Sequence, residues 1–314
     1  MPRRKTQIVL KRKIILLAGP TASGKTKIAI KLAKRINGEI INADSMQVYK
    51  DFHILSSRPS ENELRLAKHH LYGFQSSGAV FSTGKWLKLA SDKINQIVKK
   101  DKVPILVGGT GLYFKAITDG ISKIPNIKFS NRNSIRNLHK KIGQKEFYKK
   151  LIKLDPISRN KISPSDTQRS LRAYEVKKFT RKSIYQWAKK TKPLFKNYEF
   201  NKFFINTPKN QLLKSIELRT KSMIEKKCIN EVVKFKKKRL KKSLSPNKII
   251  GVQEILRFLS GDLDQKNLIE LMNIKTRQYA KRQKTWSRAH MSDWHMIYSS
   301  NSSILLKKIL NLVS

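Results

Sequence analysis

Acidic residues are scarce in this 314-residue chain: 21 Asp and Glu stand against 69 Lys and Arg, leaving a formal net charge of +48. Cysteine is nearly absent. Cys228 alone can form neither an intramolecular disulfide nor a Cys-based zinc or iron–sulfur centre, so a reducing compartment is expected. Long apolar runs are missing too: the longest, such as Ile14–Ala18, are strand-sized, whereas crossing a bilayer takes about 20 residues. Ile8–Leu10 is too short for the apolar region of a secretory signal. The stretch up to Lys13, with Arg3, Arg4, Lys5, Lys11 and Arg12, is therefore read as a basic, frayed terminus. What the chain does have is 39% hydrophobic residues, enough for a core, and a length that suits two units or one core with an insertion; this excludes wholesale disorder. A compact chain so positive repels itself, and a polyanion is the natural source of counter-charge. Nucleic acid is the expected partner class. A lysine-biased composition of solvated side chains accounts for part of the excess.

Residues 14–120 read as alternating strands and helices. Ile14–Ala18 is an apolar strand, Gly19–Lys25 a glycine-bearing turn, and Thr26–Ile36 a helix with Ile28, Ala29, Leu32 and Ala33 on one face, stopped at Asn37-Gly38. Glu39–Ala43 gives a second strand ending at Asp44, Trp86–Lys99 an amphipathic helix, and Val103–Val107 a third strand running into Gly108-Gly109-Thr110-Gly111. This is the pattern of a parallel α/β sheet, whose ligands sit at the carboxyl ends of the strands. From Lys128 to Lys196 the chain turns helical and very basic, with 21 Lys and Arg against four acids. That segment reads as an insertion. Phe203–Asn206 is a returning strand, and Asn210–Leu240 and Leu268–His290 are long helices on either side of a Pro246–Gly251 turn region. The run Lys234–Lys242 is read as a solvated helix face. The expected architecture is α/β: a P-loop NTPase-like parallel sheet core flanked by helices, formed by residues 1–124 and 197–314, with a helical insertion domain at 125–196.

Gly19-Pro20-Thr21-Ala22-Ser23-Gly24-Lys25-Thr26 fits G-x-x-x-x-G-K-[ST] between a strand and a helix, the setting that gives the motif its meaning. Backbone N–H groups converge on a phosphate, the helix N-terminus adds partial positive charge, Lys25 reaches the terminal phosphate, and Thr26 can hold Mg²⁺. The loop does not say which phosphates it holds; a nucleoside triphosphate such as ATP and a diphosphate ester fit equally. Hydrolases of this type carry a magnesium-linked Asp at the end of an apolar strand, yet Val103–Val107 ends in Gly-Gly-Thr-Gly. The acid lies instead in Asp44-Ser45-Met46-Gln47-Val48-Tyr49, where Asp44 is placed to be a base or a metal ligand. The competing reading of Asp44 is a helix N-cap.

Together these residues resemble the tRNA dimethylallyltransferase family, also called tRNA isopentenyltransferases. The likeness runs through GPTASGKT at 19–26, DSMQVY at 44–49, Ser56-Ser57-Arg58-Pro59, His69-His70-Leu71, Phe81-Ser82 and GGTGLY at 108–113. It continues with Asp166-Thr167-Gln168-Arg169 and Arg172, Ile216–Met223 with Arg219, Ile250-Gly251 with Glu254, and the stretch from Thr276 through Gln283 to Thr285-Trp286. The resemblance implies transfer of a dimethylallyl group from its diphosphate to the exocyclic amine of the adenosine 3′ of a tRNA anticodon. The phosphate loop then holds a leaving group. Asp44 is implied to accept the amine's proton, Thr21 to position the reacting centre, Arg219 to bind the diphosphate and Thr110 to contact the nucleotide. Ser45, Met46 and Gln47 are implied to touch the flipped base and its neighbours, with Asp166, Thr167, Gln168, Arg169 and Arg172 forming a tRNA-contact block. The basic helix Lys275–Arg288 grips tRNA phosphates or points to the diphosphate, with Tyr279 and Trp286 read as facing the core.

Two departures stand out: Ser163-Pro164-Ser165-Asp166 where the family has His-Pro-Asn-Asp, and Gly251-Val252 where it has Gly-Tyr. Both put details of RNA contact in doubt rather than the chemistry. The implied partners are tRNA, through its anticodon stem-loop, and dimethylallyl diphosphate, with Mg²⁺ as cofactor and no membrane. A cytoplasmic monomer is expected. A small-molecule P-loop kinase and a basic RNA-binding protein with a vestigial loop are the competing classes.

Overall fold

Ile14, Ile15, Leu16 and Leu17 are all fully buried, which a strand achieves only in a sheet covered on both faces. They belong to β1 (Arg12–Ala18) in a computed structural model that describes residues 12–241, 243–299 and 301–313. The other strands are β2 (Gly38–Asn42), β3 (His69–His70), β4 (Val103–Gly108), β5 (Tyr198–Ile205) and β6 (His295–Ile297). All six are parallel, in the order β3-β2-β4-β1-β5-β6. Register brings the carboxyl ends together: Ala18 opposes Gly108 on one side and Phe204 on the other, and Asn42 opposes Val107.

Alternation along β1 divides the core. Ile14, Leu16 and Ala18 face α3 (Thr83–Val98) and α4 (Gly111–Asp119), while Ile15 and Leu17 face α1 (Lys25–Arg35) and α12 (Ser302–Val313). Trp86 of α3 is the largest fully buried side chain. Its indole Nε1 donates to Asn42 O at 2.8 Å and its ring stacks on Tyr113 of α4 at a centroid distance of 4.0 Å. One side chain thus satisfies its own polar atom, ties α3 to the end of β2 and braces α4. A third apolar cluster joins Val48, Tyr49, Phe52 and Leu55 to α9 (Cys228–Lys237), α10 (Val252–Leu259) and α11 (Gln265–His290).

The chain divides into two compact units, one running to Thr118 and resuming at Phe195, the other spanning Asp119–Leu194. The division falls a few residues earlier than the expected 125–196. The second unit contains α5 (Phe129–Leu154), kinked at Gly143 with φ 73°, α6 (Thr167–Thr180) and α7 (Ile184–Ala188) around a small core of Leu151, Ile152, Ile162 and Ala173. Asp155 is buried there and accepts hydrogen bonds from Ser158 Oγ at 3.0 Å and Ser183 Oγ at 2.8 Å.

Three expectations are corrected. Arg12 and Lys13, read as part of a frayed terminus, pair with Tyr198 and Glu199 in the sheet; residues 1–11 lie outside the described residues. The helix expected over 210–240 is two, α8 (Lys209–Glu225) and α9, because Lys227 adopts left-handed backbone at φ 59° and turns Cys228, Val232 and Phe235 into the third cluster. Strand β5 begins at Tyr198 rather than Phe203, since β1 pairs with it along its whole length. Lys234, Lys236 and Lys237 are exposed as expected, Lys238 pairs with Asp51 at 2.5 Å, and Lys242 lies outside the described residues.

Trp86→Ala removes a fully buried indole and the partner of the stacked Tyr113, and is expected to destabilise the protein by about 3–5 kcal/mol. Urea denaturation checks this, and a loss below about 1 kcal/mol would mean that the α3–sheet packing does not depend on Trp86.

Candidate active site

The residues between Ala18 and Lys25 curl because Ala22 and Gly24 adopt left-handed backbone, with φ of 63° and 79°. Glycine takes that conformation freely, whereas Ala22 holds it under strain that the surrounding loop must maintain. No side chain caps the N-terminus of α1, and its first turn contains no acid. The unpaired N–H groups and the positive end of the helix dipole therefore remain available to an anion.

Two cations line this cradle. Lys25 Nζ folds back onto Pro20 O at 2.6 Å, and Arg219 from α8 donates through Nη1 to Thr21 Oγ1 at 2.6 Å. Burial lowers Lys25 to about 8; the charge of Asp44 resists that shift and the charge of Arg219 adds to it. Burial likewise lowers Arg219 to about 10, again against Asp44. Arg219 Nε and Ser23 Oγ are buried with no hydrogen-bond partner, and Thr26 Oγ1 makes no hydrogen bond to any described residue. The cradle thus holds unsatisfied donors and incompletely balanced positive charge, both of which an anion would relieve.

Asp44 follows β2 and faces the cradle. No helix starts there, so the helix-cap reading does not hold. Its Oδ1 accepts from Met46 N at 2.9 Å in a tight turn, while Oδ2 accepts from no described residue. Buried Asn42 brackets it, accepting from Asp44 N at 2.8 Å and donating to Asp44 O and Leu71 O, each at 3.0 Å. Thr110, after β4, accepts from Ser45 N at 2.9 Å and donates to Ser45 Oγ at 3.2 Å. Met46 packs partly into the third apolar cluster. Gln47 commits its amide nitrogen to Ser56 O and Ser57 O at 3.0 and 2.8 Å, which leaves its carbonyl oxygen for other contacts.

The structure thus brings together Gly19, Pro20, Thr21, Ala22, Ser23, Gly24, Lys25 and Thr26 with Asp44, Ser45, Thr110 and Arg219. Asp166, Thr167, Gln168, Arg169 and Arg172 belong to the second unit and are described within it. Asp166 caps α6 through Arg169 N at 3.0 Å, and Gln168 and Arg169 are exposed. Arg169 and Arg172 have only long ion pairs, 3.5 Å to Asp166 and 3.5 Å to Glu175.

Two residues of α11 belong to the site although their roles were not read from the sequence. Tyr279, expected to face the core, is half-buried; burial and then the Asp44 charge raise its pKa, against a hydrogen bond with Thr110, so it stays protonated. Tyr72 and Tyr113 are shifted in the same direction by the same two causes. Gln283 accepts from Thr21 N at 2.8 Å and donates to Gly109 O at 2.9 Å. A basic amphipathic helix announces neither contact; only the resemblance block covering Thr276–Gln283 hinted that the stretch mattered. Further along, α10 and α11 border a cleft of about 300 Å³ lined by Gln253, Lys275, Gln278 and Arg282, with buried Glu254 held by Lys275 and by Gly251 N.

An uncapped phosphate loop facing an acid-bearing turn across the edge of a parallel sheet defines a phosphate-loop enzyme. The IPP transferase family model matches residues 47–290, and the chain belongs to that family. It is 53% identical over 282 residues to the tRNA dimethylallyltransferase of Pelagibacter ubique, covering 90% of each chain. It is 42% identical over 283 residues to that of Rickettsia massiliae, covering 90% of this chain and 78% of the relative. A tRNA delta(2)-isopentenylpyrophosphate transferase structure from Staphylococcus epidermidis matches with a TM-score of 0.68 at 28% identity, over 96% of this chain and 99% of that one. A eukaryotic dimethylallyltransferase acting on tRNA matches with a TM-score of 0.76 at 25% identity, over 91% of this chain and 74% of that one.

The lowered Lys25 pKa has a signed consequence for stability. The folded state loses this proton near pH 8 and the unfolded state near 10.5, so the contribution of Lys25 to stability increases with pH across that window. Lys25→Met removes the cost of the buried charge. Its stability advantage over the wild type, measured by denaturation from pH 7 to pH 10.5, is expected to shrink as pH rises; a pH-independent difference would mean that Lys25 titrates normally.

Proposed function

We propose that the chain transfers a dimethylallyl group from dimethylallyl diphosphate to the exocyclic amine of the adenosine 3′ of a tRNA anticodon. The observation that carries this reading is the pairing of an anion cradle, with two half-buried cations, and an acid at the end of β2 whose Oδ2 is unused. Membership of the family and the names of its relatives supply the substrate pair.

In the reaction the bond between the allylic carbon and the diphosphate oxygen breaks, and its electron pair leaves with the diphosphate. The amine nitrogen bonds to that carbon and its proton passes to Asp44. Adenosine's amine is a weak nucleophile because its lone pair is delocalised into the ring, so stabilising the leaving group is the dominant demand. Loop N–H groups, Lys25 and Arg219 meet it, and the arriving charge favours their protonated forms. Thr21, anchored through its backbone N–H and its hydroxyl, holds the reacting end of the diphosphate. The free Thr26 hydroxyl on the first turn of α1 suits one position on Mg²⁺, with the rest supplied by diphosphate and water. Bound there, Mg²⁺ would neutralise charge on the departing oxygens.

The amine must leave the base stack, which costs least in a single-stranded loop. Ser45, Met46, Gln47 and Thr110 surround Asp44 and would contact the extruded base. Gln168, Arg169 and Arg172 present exposed or half-exposed amide and guanidinium groups suited to neighbouring nucleotides. The basic cleft between α10 and α11 offers further phosphate and base contacts. Among the described residues no helix is long and apolar enough to cross a membrane; the work is assigned to a cytoplasmic monomer, kept apart from its copies by its own charge.

Incubation with tRNA and dimethylallyl diphosphate, followed by nucleoside mass spectrometry, should show one prenyl group on one adenosine. ATP-dependent phosphorylation of a small molecule without prenylation would sink the proposal. Asp44→Asn is expected to lower single-turnover transfer by about 10²–10⁴-fold while tRNA affinity stays within a few-fold. Log affinity for tRNA against log salt should give a slope of about −0.7 to −0.9 per neutralised phosphate, corresponding to far fewer contacts than the net charge of +48.

A further inference from the structure

Gln283 is buried on α11 and touches both halves of the site. Its Oε1 accepts from Thr21 N at 2.8 Å and its Nε2 donates to Gly109 O at 2.9 Å. Thr21 is thereby held at two points, its N–H by Gln283 and its hydroxyl by Arg219 at 2.6 Å. Gly109 leads directly into Thr110, whose hydroxyl accepts from Ser45 N, next to Asp44. The fit is tight: a Cβ at Gly109 would lie 2.1 Å from Gln283 Nε2, so glycine is required for the amide to approach. Hydrogen bonds and short covalent links thus connect Arg219, Thr21, Gln283, the Gly109–Thr110 turn and Ser45. Gln283 is the link between the side that holds the leaving group and the side that holds the nucleophile.

We propose that Gln283 is a positioning residue that sets the distance between the allylic carbon at the phosphate loop and the amine at Asp44. An amide is suited to this because it presents a donor and an acceptor on one rigid plane. A carboxylate could still accept from Thr21 N but would set an unprotonated oxygen against Gly109 O. An apolar isostere would leave Thr21 N and Gly109 O both unpaired. The bridge also commits the Thr21 N–H to Gln283, which would leave the later loop amides for the diphosphate, so losing it should disturb the alignment of the two reactants more than the binding of either. Misplacement by about 1 Å can cost about 10²-fold in rate.

The inference rests on the proposed transfer, and the test separates the two. Gln283→Met should lower single-turnover transfer at saturating substrates by about 10²-fold, with tRNA and inorganic diphosphate dissociation constants within about twofold of wild type. Hydrogen exchange in peptides covering residues 19–26 should accelerate, because the Thr21 amide loses its acceptor. Gln283→Glu, which preserves the shape, should be impaired at pH 8 and recover at least about tenfold relative to the wild type by pH 5.5, as its carboxyl, raised by burial, regains a proton to donate to Gly109 O. A merely structural role would move the melting temperature but not this rate ratio in folded protein. The proposal is overturned if Gln283→Met transfers at the wild-type rate, if its whole deficit lies in the dissociation constants, or if the Gln283→Glu ratio stays flat with pH. If the wild type transfers no prenyl group, the functional reading fails, while exchange at Thr21 still decides whether the bridge exists.

Discussion

Lys25 and Arg219 are kept partly buried, and burial depresses the charged form of each, with the Arg219 charge depressing Lys25 further and Asp44 as their main counter-charge. The rest of the site follows from that constraint. Two cations and a carboxylate on three separate elements stay in register only if those elements are rigidly joined, and the parallel sheet joins them. It brings the ends of β1, β2 and β4 together, while α8 carries Arg219 across the loop. The arrangement is electrostatically incomplete by construction. A diphosphate would bring more negative charge than the two cations alone balance, so filling the cradle would relieve their burial cost. In the proposed reaction the same cradle would hold the product diphosphate at least as well as an ester, since release of the allyl group exposes another charged oxygen.

The division of charge has a different logic at longer range. The segment from Lys128 to Lys196 has 21 Lys and Arg against four acids, and its small apolar core contributes little beyond shape. Its buried Asp155, bonded to two serines, shows where a negative charge was kept for structure rather than for solvent. Exposed lysines there have few carboxylates to pair with, so their field extends outward and is available to a polyanion. The first unit manages its lysines differently: Lys102 neutralises buried Glu39, which also accepts a hydrogen bond from His70, Lys275 holds Glu254, and Lys238 meets Asp51.

The phosphate loop and the acid after β2 were legible because each is a local pattern: a glycine spacing between strand and helix, and an acid at a strand end. The strands themselves were legible from buried branched residues, though their limits shifted where pairing outweighed pattern, as in β5. The break at Lys227 was not legible, because a lysine in left-handed backbone leaves no mark in a run that otherwise reads as helical. Strands β3 and β6 escape for another reason: at two and three residues they are too short to show a period and exist only because a neighbouring strand pairs with them. Tyr279 was misassigned on periodicity alone. An aromatic at helical spacing usually faces the core, and here the face it shares is polar because α11 passes over the open end of the sheet rather than over its side.

That path makes α11 the element on which both sides of the chemistry depend. From one helix, Tyr279 reaches Thr110 and feels the Asp44 charge, Gln283 meets Thr21 and Gly109, and Lys275 and Arg282 line the basic cleft. Positions 275, 279, 282 and 283 fall three and four residues apart, so they share one face of the helix. Contacts to Thr110, to the phosphate loop and to the cleft are therefore fixed relative to one another by helix geometry rather than by loops. A rigid rod across the strand ends cannot follow one substrate without shifting its contacts to the other. The Gln283 hydrogen bond to the Thr21 amide and the cleft-lining Lys275 and Arg282 therefore sit on one rigid element, so the geometry at the phosphate loop and the geometry of the basic surface are set together.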